Sequence, residues 1–384
     1  MLRILISGGG IAGTTLAYWL RRGGFEPTVV ERAGALRSSG NPVDVEGEAV
    51  AVAERMRLMP KLRAAATGAT GLAFVDGGGR RVGRIDLEAI RRAGRSRRVE
   101  LGRSDLAAIL HEAAGSDADF RFGDSIASLD ENGDGVEVAF ERGAQERFDL
   151  VVGADGLHSR VRRLAFGPES RFVSHLGLYV ASTPLDRTRG PGREIVMYNA
   201  PGRLATISPT RDGAVAFFAF RSGPLEVDLR DSASQKRVLS EVFARDRWRV
   251  PEVLERARAA DDLYFDAVSQ VTLDGWSTPR ITLVGDAASS VSLFGGGSSL
   301  AMVAAFTLAE QLAADPGNPG EAFARYENRH RRLVEPRQRN VRVASRLLVP
   351  ATGRGILLRN LAANLWPLAV AAGWTRRLRL PVTS

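Results

Sequence analysis

Arg3 to Ser7 is a short run of β-forming apolar residues, followed by glycines and then by Ile11 to Arg22, where apolar positions recur at helical spacing. Phe25 to Glu31 is β-like again, so the opening predicts strand, turn, helix, strand: a βαβ unit. Helical spacing returns over Gly47 to Met59, where Val50, Val52 and Met56 share a face. It returns again over Ser104 to Ala114, with Ser104 as the cap before Leu106, Ile109 and Leu110. Phe74 to Ile85 predicts a hairpin, its two apolar runs parted by glycines 77 to 79. Ile126 to Phe140 and Glu146 to Val152 add strands.

Beyond Arg171 the pattern turns strongly β. Leu178 to Ser182, Glu194 to Tyr198, Leu204 to Ser208 and Ala214 to Arg221 are separated by Pro and Gly signals, which predicts a second sheet able to wall a small molecule. Arg280 to Val284 reads as a buried strand, followed by Gly-Asp and a helix over Ser298 to Ala313. After Pro336 the chain stays helical and basic and ends in an apolar stretch, Leu357 to Ala372, interrupted by Pro367, which predicts a packed helix pair. The mixture is that of α/β architecture with antiparallel insertions.

Composition narrows the chemistry. The chain has 384 residues, 44% of them apolar and 25% charged, an ordinary folding composition. It has no cysteine, which excludes disulfides, thiolate metal sites and cysteine nucleophiles. His111, His158, His175 and His330 lie far apart without metal-ligand spacing. The net charge of +9 is carried by arginines, but the densest run, Arg91 to Arg98, has no interleaved aromatics, so no nucleic-acid partner is expected. Neither a leader peptide nor a spanning helix is predicted, hence no stable membrane insertion and a cytoplasmic location. A monomer or homodimer is expected.

Gly8-Gly9-Gly10-Ile11-Ala12-Gly13 is a G-x-G-x-x-G between strand and helix. The first glycine permits a tight turn, the second lets backbone approach a pyrophosphate, and the third allows close helix–strand packing. Glu31 ends the next strand 23 positions after Gly8, where a carboxylate can accept from ribose hydroxyls. The loop specifies a dinucleotide without choosing between NAD and FAD. Two later segments are Asp149-Leu150-Val151-Val152-Gly153-Ala154-Asp155-Gly156-Leu157-His158-Ser159-Arg160-Val161-Arg162 and Arg280-Ile281-Thr282-Leu283-Val284-Gly285-Asp286-Ala287-Ala288. Asp286 follows a buried strand and opens a helix, so its carboxylate can accept from hydroxyls while the next amides face a phosphate.

In this order the three segments resemble the fingerprints of the FAD-dependent class A aromatic hydroxylases, a group that includes para-hydroxybenzoate hydroxylase and the tetracycline-inactivating monooxygenases, over residues 1 to about 335. The resemblance implies a Rossmann-like FAD-binding domain from 1–70, 98–168 and 278–335. An inserted antiparallel β-sheet substrate domain would come from 71–97 and 169–277, and a C-terminal helical segment from 336–384. It implies that Gly8, Gly10, Ile11, Ala12, Gly13, Glu31 and Arg32 hold the ADP half of FAD, and that Gly285 and Asp286 meet the pyrophosphate and ribityl region. Arg103 would contact phosphate or ribityl oxygens, and Arg37, Gly40 and Asp44 lie where relatives bring a loop to the isoalloxazine ring. Asp155 and Gly156 match the Asp-Gly pair implicated in both FAD and NAD(P)H binding, which leaves NADPH and NADH open as reductants. Gly295, Gly296, Gly297 and Ser298 would bring amides to the flavin carbonyl edge, and Phe74, Met197, Tyr198, Phe217 and Phe220 would wall the substrate.

The implied reaction is NAD(P)H reduction of FAD, capture of O2 as a flavin C4a-hydroperoxide, and oxygen transfer to an aromatic or polyketide-like molecule. Departures from the pattern keep alternatives open. Ser289 follows Ala288 where relatives place a histidine, Ser292 or Leu293 replaces the usual proline, and Ala304 stands where an aspartate is common. Baeyer–Villiger oxidation, dehydrogenation or cyclisation on the same scaffold, or flavin binding without turnover, fit the same fingerprints. No catalytic acid, base or nucleophile is assigned, because the cofactor carries the hard chemistry.

Overall fold

A computed structural model describes residues 1–36, 42–94, 97–115, 118–185, 192–211, 213–226, 231–261, 263–290 and 296–371. The chain forms two compact units.

The first unit comprises residues 1–66, 97–176 and 268–342. At its centre is a parallel sheet of five strands in the order Ile281–Leu283, Leu150–Gly153, Arg3–Ser7, Glu26–Glu31, Asp119–Phe122. Ile4, Leu5, Ile6, Leu150, Val151, Val152 and Leu283 are all buried. A parallel sheet covered on both faces has no solvent side, which is why these strands read as unbroken apolar runs. The Ile11–Arg22 helix packs against the Gly297–Ala314 helix, with Trp19 edge-on to Phe306 at 4.8 Å. An antiparallel ribbon of Ile126–Asn132, Gly135–Phe140 and Glu146–Phe148, and a two-stranded pair of Pro42–Val45 with Val99–Gly102, complete its sheets.

Two helix boundaries differ from expectation. The single helix expected over Gly47 to Met59 is two, Glu48–Arg55 and Met59–Ala64, because Arg57 takes the left-handed φ of 59° and ends the first. The helix expected to start behind a Ser104 cap starts at Arg103, with Gly102 in the cap position, so Ser104 lies inside its first turn.

The second unit comprises residues 67–96, 177–267 and 343–384. Its sheet has the order Tyr264–Val271, Val173–Leu185, Ala214–Arg221, Arg203–Pro209, Glu194–Ala200, Gly71–Val75, Arg81–Asp86. The last two strands are the hairpin expected around glycines 77 to 79. The Ser232–Phe243 and Val250–Ala259 helices contribute Leu239, Phe243, Val253 and Leu254 to a core shared with Tyr198, Phe218, Phe220 and Phe265 of the sheet. The chain stays helical past Pro336 as expected, in one helix running Pro319–Leu348 across that proline, and a further helix covers Gly353–Ala371. Among the described residues, no helix is long and apolar enough to cross a membrane.

Candidate cofactor site

The three glycine-bearing segments, far apart in sequence, meet at one end of the parallel sheet. Ser7 pairs with Gly153 and Gly153 with Leu283, so the strands end side by side and release their loops together. The contacts leave no room for side chains. A methyl on Gly8, whose φ is 107°, would lie 2.5 Å from the Ala154 carbonyl oxygen; one on Gly285 would lie 3.0 Å from Cβ of Ala12. One on Gly13 would lie 1.9 Å from the Gly8 carbonyl oxygen. Gly10 differs: nothing lies within 4 Å of its missing Cβ, and it is exposed at the start of the Ile11–Arg22 helix with no side chain capping the first amides. A helix N-terminus with open space over a glycine fits the pyrophosphate of a dinucleotide.

Glu31 is half-buried beside this loop. Its Oε2 accepts the Gly9 N–H at 2.8 Å and its Oε1 the Ala33 N–H at 2.8 Å, so the carboxylate both shapes the loop and retains acceptor capacity for a ribose. Arg32, next along, is exposed. Arg103 is exposed at the first turn of its helix, and its side chain forms no hydrogen bond among the described residues.

Asp155 is committed to structure. It accepts from Ser7 and Ser159 hydroxyls and from the amides of Arg160 and Val161 at 2.7 and 3.1 Å, capping the short Arg160–Ala165 helix. Loss of water pushes its carboxyl up, and the hydrogen bonds oppose that. Gly156 follows with φ of 80°, which the turn requires. Sequence reasoning missed Arg162. Fully buried, it donates to the Ala287 carbonyl at 3.0 Å and the Leu157 carbonyl at 2.6 Å, with Glu169 at 3.6 Å, and so ties the Asp-Gly segment to the Gly-Asp segment. The signal was there: an arginine on the buried side of a short helix has to find carbonyls or carboxylates.

Gly285, with φ of 65°, leads into Asp286, the half-buried first residue of the Asp286–Ser289 helix. The Asp286 Oδ1 lies 3.9 Å from where a Gly297 Cβ would be, so the carboxylate faces the start of the Gly297–Ala314 helix. Gly296 is buried, and Gly297 and Ser298 are half-buried. Asp44 approaches the same helix start from the Pro42–Val45 strand: Ser299 Oγ donates to the Asp44 carbonyl at 2.7 Å and accepts the Glu46 N–H at 3.0 Å. The Asp44 side chain accepts from Arg98 Nε at 2.6 Å, across the strand pair in which it faces Glu100. Burial pushes the Asp44 carboxyl up to about 6; Arg98 lowers it, while Glu100 and Glu46 raise it. Arg37, Gly40 and Gly295, named as candidates from sequence, and the Ser292–Leu293 departure lie outside the described residues.

The five expected wall residues divide between the two faces of the second unit's sheet. Tyr198 and Phe220 are buried in the helix-covered core, and the Tyr198 hydroxyl bonds Asp246 at 3.3 Å. Placing them on the same wall as the other three is corrected by strand alternation, since Met197 and Tyr198 are neighbours and point to opposite sides. On the other face, register aligns Phe74 with Met197, Met197 with Thr206, Thr206 with Phe217, and Phe217 with Ser182, a row running across the sheet. Phe217 is half-buried there, and the Arg359 guanidinium lies over the Phe74 ring at 4.4 Å.

Comparison with known proteins agrees with this arrangement. An FAD binding domain family matches residues 1–335. An uncharacterised Mycobacterium tuberculosis protein is 39% identical over 343 residues, covering 88% of this chain and 92% of its own. A flavin-dependent monooxygenase of Legionella longbeachae is 35% identical over 341 residues, covering 88% and 87%. Among solved structures, the tetracycline destructase Tet(51) superimposes with a TM-score of 0.85 at 29% identity, covering 100% of both chains.

Proposed function

Because the chain belongs to the class A FAD-dependent monooxygenases, we propose that it uses NADPH or NADH and O2 to hydroxylate an aromatic or polyketide-like small molecule. The observation that supports this best is the meeting of the glycine loop, the Asp-Gly segment and the Gly-Asp segment at one sheet end, with space kept open over Gly10. In this reading Gly8, Gly10, Ile11, Ala12, Gly13 and Glu31 hold the ADP half of FAD. Asp286 accepts from its ribityl chain, and the Gly296–Gly297 start of the long helix presents amides toward the flavin. Arg103 and Arg32, both exposed, supply cations that a pyrophosphate attracts. Bound FAD supplies the electron transfer and oxygen activation. The chain binds and orients, and a dry site with oriented amides favours negative charge on the ring. Similarity to a flavin-dependent monooxygenase and to a tetracycline destructase favours a polycyclic acceptor over a single ring.

The test is the visible spectrum of purified protein with FAD, followed by NADPH or NADH in air. Bands near ~370 and ~450 nm, properties of the flavin itself, should bleach on reduction, and a true substrate should speed that bleaching and gain about 16 mass units. A flavin that binds and never reduces would sink the monooxygenase reading in favour of cyclisation or storage.

A further inference from the structure

The Gly353–Ala371 helix has one face on the sheet of its own unit and another left open to water. It packs against the Arg81–Asp86 and Glu194–Ala200 strands. Ile356, Arg359, Asn360 and Ala363 form the inner stripe: Asn360 and Ala363 are buried, and Arg359 donates to Asn199 Oδ1 at 2.8 Å and lies over the Phe74 ring. Leu357, Leu358 and Leu361 form the outer one, 65%, 68% and 58% exposed, and with exposed Arg354 they keep the i, i+3, i+4, i+7 spacing of a single helix face. Val343 and Leu347, near the end of the preceding helix, are exposed too, with exposed Arg346 between them. Five of the eight large apolar side chains exposed among the described residues thus fall between positions 343 and 361, a clustering that the single apolar residues scattered over any surface do not produce.

Charge divides the chain at nearly the same place. Residues 336–384 contain nine arginines and no Asp, Glu or Lys, against 53 basic and 44 acidic residues in the whole chain. The net charge of +9 therefore resides entirely in the last 49 residues, and the 335 before them balance at 44 of each sign. Arg346 and Arg354 are interleaved with the exposed apolar side chains, and Arg376, Arg377 and Arg379 follow in the sequence.

The two features together select the partner. Exposed leucines need a medium that takes them out of water, and a run of unanswered cations needs a dense array of anions. A bilayer containing anionic lipid offers both, with acyl chains beneath a layer of headgroup charge. A second copy docked on this face would set arginines against arginines, and a nucleic acid gains nothing from exposed leucines.

We propose that the 354–361 face of the C-terminal helix is a peripheral membrane-binding surface: Leu357, Leu358 and Leu361 enter the boundary between headgroups and acyl chains, while Arg346, Arg354 and the arginines that follow engage anionic headgroups. The helix lies on the bilayer and does not cross it, in keeping with the lack of any spanning helix among the described residues. A single weak signal holds a protein to a membrane only marginally, and an apolar insertion combined with basic charge holds it stably.

The experiment is flotation of the full-length, FAD-loaded protein with two kinds of vesicle, phosphatidylcholine alone and phosphatidylcholine with about one third phosphatidylglycerol. Partition onto the anionic vesicles is expected to be at least ~10-fold higher, a preference that disappears near ~1 M salt, where charges are screened beyond ~3 Å. Replacing both Arg346→Gln and Arg354→Gln should lower partition onto the anionic vesicles ~25-fold, about 5-fold for each cation at the surface. Combining Leu357→Gln, Leu358→Gln and Leu361→Gln should lower it at least ~10-fold, and both variants should keep the wild-type melting temperature and FAD affinity, since every replaced side chain is exposed. Should the triple variant fail to fold, Leu358→Gln alone carries the test with a loss of about 3-fold or more. No flotation with either vesicle, equal partition onto both, or a leucine variant that binds as tightly as wild type overturns the proposal. So does a dimer in sedimentation that the leucine substitutions dissociate, because a second copy would then cover the face.

Discussion

Gly10 and Gly13 lie three residues apart, and the same methyl group has different consequences at each. At Gly13 it would meet the Gly8 carbonyl oxygen at 1.9 Å, a backbone atom that cannot yield, so Gly13→Ala should disrupt the loop in apo and FAD-loaded protein alike. At Gly10 it enters empty space on extended backbone. Gly10→Ala should therefore lower the apo melting temperature by only about 2 °C, the scale of replacing a glycine N-cap by alanine in a chain of this size, while FAD affinity falls at least ~10-fold where the methyl meets the pyrophosphate. Fluorescence titration of FAD beside a thermal melt separates the two quantities, and unchanged FAD affinity would remove Gly10 from the site. Glu31→Gln tests the loop's other support. The amide keeps one acceptor oxygen but turns an NH2 toward either the Gly9 or the Ala33 N–H. Losing one hydrogen bond to a charged group costs ~1.5 kcal/mol or more, so FAD should bind ~10-fold more weakly; equal binding would leave Glu31 without a role in the cofactor site.

Elements are joined here by polar groups that periodicity does not report. Arg162 binds two loops to one another through carbonyls, and Arg162→Met would leave those carbonyls without their donor and Glu169 with only His158 beside it, at a cost of about 3 kcal/mol. Arg162→Lys should recover little of it, since one ammonium cannot reproduce a forked pair of donors. Urea midpoints read both, and a methionine variant as stable as wild type would show that apolar packing alone joins the segments. The strands beneath these loops were legible because a fully covered parallel strand is apolar at every position, as over Ile4–Ile6 and Val151–Val152. The glycines were legible because their spacing is dictated by contacts no other residue permits. The Arg98–Asp44 pair was not legible: 54 positions separate the partners, and Arg98 reads as one more arginine in a basic run. The Arg57 break was hidden because nothing in an arginine announces a positive φ. The division of the wall residues was available in principle, since Met197 and Tyr198 are adjacent on a strand, but which face held the helices depended on contacts with residues 232–259.

At the scale of the whole molecule, two buried groups in the same unit titrate over one pH window with opposite sign. Asp44 is raised from 3.8 to about 6, so between those values the folded protein holds a proton that the unfolded chain releases, and stability falls as pH rises through the window. His330 is lowered from 6.5 to about 4 by burial and by Arg337. It sits against Trp276 and Tyr326 with neither ring nitrogen hydrogen-bonded among the described residues, and the unfolded chain takes up its proton first as pH falls. Stability from His330 is therefore present above about 6.5 and lost toward pH 4. Each shift is on the order of 3 kcal/mol, and the two nearly cancel, so these groups together add little slope between pH 4 and 6.5. Removing one exposes the other. Asp44→Asn should lift the penalty at neutral pH and make the loss on acidification steeper than in wild type. His330→Leu should do the reverse, with stability relative to wild type increasing as pH falls from 6.5 to 4, and the double variant should run parallel to wild type if the sites act independently. Urea midpoints from pH 4 to 7.5 decide this. Single variants whose curves run parallel to wild type would mean that neither group titrates where its burial places it.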